Sequence, residues 1–406
     1  MNLGGVKESR RNSFLPEASS TCPLVNSSTK KLKNSKHTMR KLFHSLHLWL
    51  SIPIGIIISI ICLTGAILVF EQEIKELASP NLYKVEIPEN GRMLKPSELK
   101  LRINEQMGDS LQISSIVYPG KEGRACTVSF RNMGRKSLSV NPYDGNVNGW
   151  IESSEFFLAT RRLHRWMMNP PEVKGEMSVG KYVVGISTLV LVVILLSGLV
   201  IWVPRNRRVL KNRLTVSFSK GWRRFWYDSH VAWGFYSTLL LLVMALTGLT
   251  WSFGWFRSAA YSLVGASNKT TEQHSHHNES GNKGKRYDKD KTEITLVWDN
   301  VLAGIQERYD EYSQITFQRD MAFVGTNIYT SMRKNDKVYF DAKSGEITSV
   351  TKYSETPMAQ KAKGIFYALH TGSWGGIITK ILYFLACVIG AVLPLSGYYL
   401  WIKKMK

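Results

Sequence analysis

Four apolar stretches, 48–70, 179–203, 231–256 and 377–402, constrain this chain more than any other feature. Each is long enough for the roughly 20 residues that a helix needs to cross a bilayer. Two polar stretches of domain size separate them, about 72–178 and 257–366. A mean hydropathy near zero is therefore an average over two kinds of segment. The expected architecture is a four-helix transmembrane bundle carrying two α+β lobes.

Charge sets the expected orientation. The net charge of +22 is concentrated beside the spans. Lys30, Lys31, Lys33, Lys36, Arg40 and Lys41 precede the first. Arg205, Arg207, Arg208, Lys211, Arg213, Lys220, Arg223 and Arg224 fill the short loop between the second and third, and Lys403, Lys404 and Lys406 end the chain. Short basic flanking loops stay in the cytoplasm, so both termini and the middle loop are expected inside and both lobes outside. Juxtamembrane base facing anionic lipid accounts for this charge, and no nucleic-acid partner is needed.

Residues 1–38 are polar and read as a disordered tail, with no cleavable signal peptide before the first span; Met39 reads as a natural start. The remaining expected organisation is a first membrane helix 39–71, a lobe 72–155, and a pre-helix with the second membrane helix 156–204. A basic loop 205–226, a third helix 227–256, a second lobe 257–366 and a fourth helix with its tail 367–406 follow. Segment 268–291, charged and rich in Gly, Asn and His, reads as a disordered insertion; a metal-scavenging role for His274, His276 and His277 is the weaker reading. The four cysteines form no CxxC motif, so neither a disulfide framework nor a thiolate metal site is expected.

The halves repeat. His47 precedes Thr64-Gly65 as His230 precedes Thr247-Gly248, since 65 − 47 = 248 − 230 = 18. Leu196-Ser197-Gly198 and Leu395-Ser396-Gly397 close the other two spans, each with a lysine 21 residues before a tryptophan (202 − 181 = 401 − 380). Each half reads span, lobe, span, which is a parallel repeat about the membrane normal. Within the lobes, 96–107 and 293–309 predict helices. Segments 113–118, 125–130, 137–140, 314–317 and 337–340 predict strands, and the turns ending at Gly145 and Gly345 lie 200 residues apart (345 − 145).

Ionisable residues at membrane depth are costly, and a repeated set is a functional hypothesis. His47 and His230 fall at the inner ends of spans one and three; His164 and His370 precede spans two and four on the outer side. Imidazoles from facing helices, one on each face of a porphyrin, fill both axial positions of a haem iron. The bland reading, interfacial histidines wetting helix ends, suits one residue better than four in register. His44 shares the face of His47 one turn away and competes with it as ligand. The outer pair is less regular. An offset of 199 maps His164 onto Lys363, 7 residues short of His370. Either a broken, re-entrant helix restores its depth or the pair is asymmetric. Gly65, Gly198, Gly248 and Gly397 admit close approach of a macrocycle or of a helix. Trp202, Trp251, Trp255 and Trp401 read as aromatic belts.

Leu46-His47-Leu48-Trp49, the two Leu-Thr-Gly motifs, Leu163-His164-Arg165-Trp166, Trp202-Val203-Pro204-Arg205, Tyr227-Asp228-Ser229-His230 and Leu369-His370-Thr371-Gly372 together resemble the PepSY-associated transmembrane family. The resemblance runs from about residue 40 to the end. It implies PepSY-like lobes, the bacterial inner membrane and, as in members that are siderophore reductases, two b-type haems. On that reading His47, His230, His164 and His370 are the axial ligands. Lys181 and Lys380 face haem propionates, with snorkelling to lipid phosphate as the even alternative. The implied substrate is a ferric siderophore. No G-x-G-x-x-G follows a strand, so the electron donor, cytoplasmic or a quinol, is external. Two other functions stay open: a non-enzymatic PepSY module that binds an envelope peptidase, and a siderophore-uptake component without redox chemistry.

Overall fold

The computed structural model describes residues 23–89, 91–173, 175–204, 206–266, 294–328 and 334–405, with side chains from residue 38. The expected insertion 268–291, with its three histidines, lies outside the described residues. So does Cys22; the other three cysteines are free and buried.

Four helices are long and apolar enough to cross a membrane: Thr38–Val69, Val179–Trp202, Trp222–Ser252 and Ser373–Met405. They belong to α1 (Pro23–Val69), α5 (Val179–Trp202), α7 (Trp222–Ser252) and α11 (Gly376–Met405), the last preceded by a 3-10 turn at Ser373–Gly375. Each helix packs on two neighbours, in the ring order α1, α5, α7, α11. Ile58, Cys62, Ile194, Leu195 and Leu241 fill the middle of the ring. Residues 23–38 continue α1 as helix instead of forming the tail expected as disordered; extending a nucleated helix adds a hydrogen bond for every residue fixed. The third span also differs from its expected bounds. It begins in the basic loop at Trp222 and stops at Ser252, where Phe253 turns extended before α8 (Gly254–Leu263).

The two expected lobes are one body. Strands β1 (Ile113–Pro119), β2 (Cys126–Phe130), β3 (Ser137–Val140) and β4 (Val147–Ile151) form a meander, as do β5 (Gln314–Phe317), β6 (Met321–Gly325), β7 (Asn335–Phe340) and β8 (Ile347–Thr351). The meanders join edge to edge through antiparallel β1 and β5, with Ile116 opposite Phe317, giving one sheet of order β4-β3-β2-β1-β5-β6-β7-β8. Pairing β1 with β5 removes the two inner edges that separate lobes would expose. One core runs under both halves, from Leu99 and Ile103 of α3 (Pro96–Met107) to Trp298 and Ile305 of α9 (Ile294–Gln306). Ser97 at the start of α3 donates its N–H and hydroxyl to Asp299 of α9, at 3.0 and 2.5 Å, and ties the halves together. Gly145 and Gly345, at φ 78° and 75°, close equivalent hairpins as the turn pattern predicts. Strands β4, β6 and β8 escaped the sequence reading, because none alternates clearly; β8 has no buried position.

The sheet stands at one end of the bundle, and the basic loop marks the other. At the basic end Arg40 and Arg213 donate to the last carbonyls of α5, including Val203 O from both and Ile201 O at 2.9 Å from Arg213. Cations there complement the helix C-terminus. At the sheet end α2 (Glu71–Ala78) leaves α1, and Glu76 accepts both guanidinium nitrogens of Arg124 at 2.7 and 2.9 Å. This pair backs the hydrogen bonds of Val85 to Gly123 and Ala125 to Tyr83.

Arg124 holds the Glu76 carboxyl below its ordinary range, chiefly by hydrogen bonding. A carboxyl lowered in the folded state stabilises fully above the ordinary carboxylate range, and that stabilisation disappears as pH falls through the lowered value. Hydrogen-exchange protection at Val85 and Ala125 should therefore weaken in acid below about pH 4. Arg124→Met should weaken it already at neutral pH; protection independent of both changes would contradict the anchor.

Candidate functional site

The structure brings the four predicted histidines into two pairs. His47 and His230, on the diagonally opposed helices α1 and α7, face each other at the basic end, with ring centroids 6.4 Å apart and planes at 86°. His164 of α4 (Glu155–Trp166) and His370 of α10 (Met358–Thr371) meet at the sheet end, with centroids 6.2 Å apart and planes at 57°. His44 is exposed, whereas His47 is half-buried and is the one that faces His230. His164 reaches its depth by the re-entrant route. After Trp166, Met167 and Met168 take left-handed conformations (φ 46° and 67°), and the chain doubles back, through 169–173 and 175–178, into α5. In the other half, Gly372 and one 3-10 turn suffice. That difference accounts for the 7-residue mismatch in the sequence.

Every imidazole is held the same way by a helix other than its own. His47 Nδ1 lies 3.0 Å from Ile194 O and 3.2 Å from Ser197 Oγ of α5. His164 Nδ1 lies 2.9 Å from Ile61 O and 3.1 Å from Thr64 Oγ1 of α1. His370 Nδ1 lies 3.0 Å from Met244 O and 3.2 Å from Thr247 Oγ1 of α7. His230 Nδ1 lies 2.8 Å from Ser396 Oγ of α11, with the Leu393 carbonyl as its other neighbour. The next residue in each case is the repeated glycine. A methyl there would come 3.1 Å from His47 Cε1 at Gly198 and 3.2 Å from His164 Cε1 at Gly65. At Gly248 it would come 3.2 Å from His370 Cε1, and at Gly397 3.6 Å from His230 Cε1. These glycines seat imidazoles, a role the sequence reading did not assign to them.

The rings fit a metal-bearing group of one kind. His164, His230 and His370 are half-buried, so part of each ring stays open to a bound group. A metal–imidazole bond of about 2 Å on each side, plus about 1 Å from each nitrogen to its ring centre, spaces two axial imidazoles about 6 Å apart. Both pairs match. Among the described residues no group of three or more His, Cys, Asp or Glu could hold a bare ion. Two opposed imidazoles then suit a metal that brings its own equatorial donors, as a porphyrin iron does. On α1, His47 and Thr64 are 17 residues apart, about 25 Å of helix rise, so the two pairs lie towards opposite faces of a bilayer.

Other predicted residues divide. Lys380 is buried, and its ammonium lies 2.5 Å from Glu73 Oε1, while Glu73 Oε2 is buried without a partner. Lys181 donates to the Glu176 carbonyl at 3.3 Å and stands on a cationic rim with Arg165 and Arg257. The two lysines align in sequence but differ in surroundings. Trp255 is exposed, as a belt residue is. Trp251 instead packs edge-on against His370 at 5.3 Å, and Trp202 stacks on Phe235 at 3.6 Å. Trp251 reads as a belt residue from sequence because its spacing gives no sign that it neighbours a residue 119 positions away (370 − 251).

The PepSY-associated TM region family matches residues 44–404, which include all four histidines and all four glycines. No curated protein matches the chain.

Seating an imidazole on glycine makes the position intolerant of bulk. Gly65→Val and Gly248→Val should each destabilise the detergent-solubilised protein by about 1–3 kcal/mol in thermal unfolding. Gly364→Ala, where an added methyl meets nothing within 4 Å, should leave stability unchanged or raised. Equal responses at the three positions would contradict the seat.

Proposed function

We propose that this chain, which belongs to the PepSY-associated TM family, is a di-haem b electron-transfer protein of the bacterial inner membrane. It reduces a ferric siderophore in the periplasm and releases Fe(II) for iron acquisition. The observation that carries the reading is the pair of facing imidazoles at each end of one bundle, spaced at 6.4 and 6.2 Å. A haem iron held between such imidazoles would supply reversible one-electron exchange.

The chain's own residues do the rest. His47 and His230 hold one group towards the basic end; His164 and His370 hold the other beneath the sheet. With Nδ1 engaged by a neighbouring helix in all four, Nε2 is the nitrogen each ring would offer to the group. Helices α1, α5, α7 and α11 shut out bulk water with Ile58, Ile194, Leu195 and Leu241. The basic segment from Arg207 to Arg224 keeps its end of the bundle at the cytoplasmic face, where the donor is oxidised: a cytoplasmic reductant, or a membrane quinol that gives its two electrons one at a time and releases two protons. The sheet and α4 then face the periplasm. Siderophore oxygens hold Fe(III) far better than the less charged Fe(II), so one electron to the chelated iron loosens it and leaves the chelate intact.

A PepSY binding module or a redox-free uptake component would need no facing imidazole pairs. The purified protein should be red, with a Soret band that shifts on dithionite reduction. His230→Ala should lose about half of the haem and keep the rest. A colourless preparation after expression with haem supplied would overturn the proposal, and so would a His230→Ala protein that kept its full haem content.

A further inference from the structure

We infer that Thr64, Ser197, Thr247 and Ser396 are ligand-positioning residues, each fixing the imidazole of a neighbouring helix as the Nδ1–H tautomer with Nε2 bare. The argument is a count of protons. Each hydroxyl donates its own hydrogen along its helix. Thr64 donates to Ile60 O at 2.7 Å, Ser197 to Ile194 O at 2.9 Å, Thr247 to Val243 O at 2.6 Å and Ser396 to Leu393 O at 2.7 Å. With that hydrogen committed, the oxygen turns a lone pair to the imidazole. The carbonyls of Ile61, Ile194 and Met244 beside the same nitrogens are acceptors only. A nitrogen between two acceptors has to be the donor, and the second nitrogen of a neutral ring is then a bare lone pair.

The four hydroxyls are buried, at 5 % exposure for Thr64, 1 % for Ser197, 5 % for Thr247 and 3 % for Ser396. A buried hydroxyl survives where its hydrogen bonds are complete, and the imidazole completes them here. The sites also divide by chemistry. Threonines of α1 and α7 serve the sheet-end pair, and serines of α5 and α11 serve the basic-end pair. The threonine methyl and its preferred χ1 hold the oxygen more rigidly than serine does. The hydrogen bond to Nδ1 also makes a ligating imidazole more basic, and loss of such a partner typically weakens metal binding 10–100-fold.

The tautomer belongs to the protein alone; only the use of Nε2 as iron ligand rests on the proposed function. Nitrogen-15 NMR of the histidine-labelled, haem-free protein reads the first part. The four rings should show protonated Nδ1 and bare Nε2, and the reverse tautomer would overturn the inference. Haem titration of Thr247→Val reads the second part. It should weaken binding at one of two sites by about 10–100-fold, with Thr247→Ser restoring it. A Thr247→Val protein that titrates like the wild type would overturn the positioning role. If the wild type binds no haem, the proposed function fails while the NMR experiment still decides the tautomer.

Discussion

Everything distinctive in this structure depends on an imidazole donating to a backbone carbonyl of another membrane helix, over a glycine that makes room for it. A helix carbonyl normally has its hydrogen bond within the helix, and a histidine in apolar surroundings is costly unless its nitrogens are satisfied. The Ser/Thr-Gly step answers both constraints. The hydroxyl and the carbonyl meet Nδ1, and the missing side chain lets the ring lie against the helix. Because the donor ring and its cradle are on different helices, each contact is also a tertiary tie. His47 joins α1 to α5, His230 joins α7 to α11, His164 joins α4 to α1, and His370 joins α10 to α7.

That arrangement explains why the bundle needs its extramembrane part. His164 and His370 are not on spanning helices but on short helices that leave the sheet and dip towards the bundle. Their positions are set by where the sheet stands. The β1–β5 junction and the Ser97–Asp299 tie make the sheet one body, and Glu76–Arg124 fixes it to α2, the short helix that follows α1. Two separate lobes would leave the two halves of the sheet-end site free to move relative to each other.

Much of this was legible in the sequence, and the limits were physical. Four spans follow from hydropathy alone, and the identical spacing from His47 and His230 to their Thr-Gly steps exposed the repeat. The histidine pairs follow from the antiparallel course of the helices. The union of the lobes was not legible, because the β1–β5 pairing brings together strands about 200 residues apart and local alternation carries no information about partners. The hydroxyl cradle was visible as a motif, Leu-Thr-Gly and Leu-Ser-Gly, and its function was not. Helix periodicity gives the face on which Ser197 lies, but the ring it meets belongs to another helix. The sequence alignment of Lys181 with Lys380 suggested a shared role, yet Glu73 engages only Lys380. Nothing on α5 foretells that contact.

Locating iron in a crystal of the haem-loaded protein, by anomalous scattering at the iron edge, tests the central claim most directly. Two peaks are expected, one between His47 and His230 and one between His164 and His370, each within about 2 Å of both Nε2 atoms. Iron found elsewhere, or imidazoles that keep Nε2 turned away from it, would contradict the account.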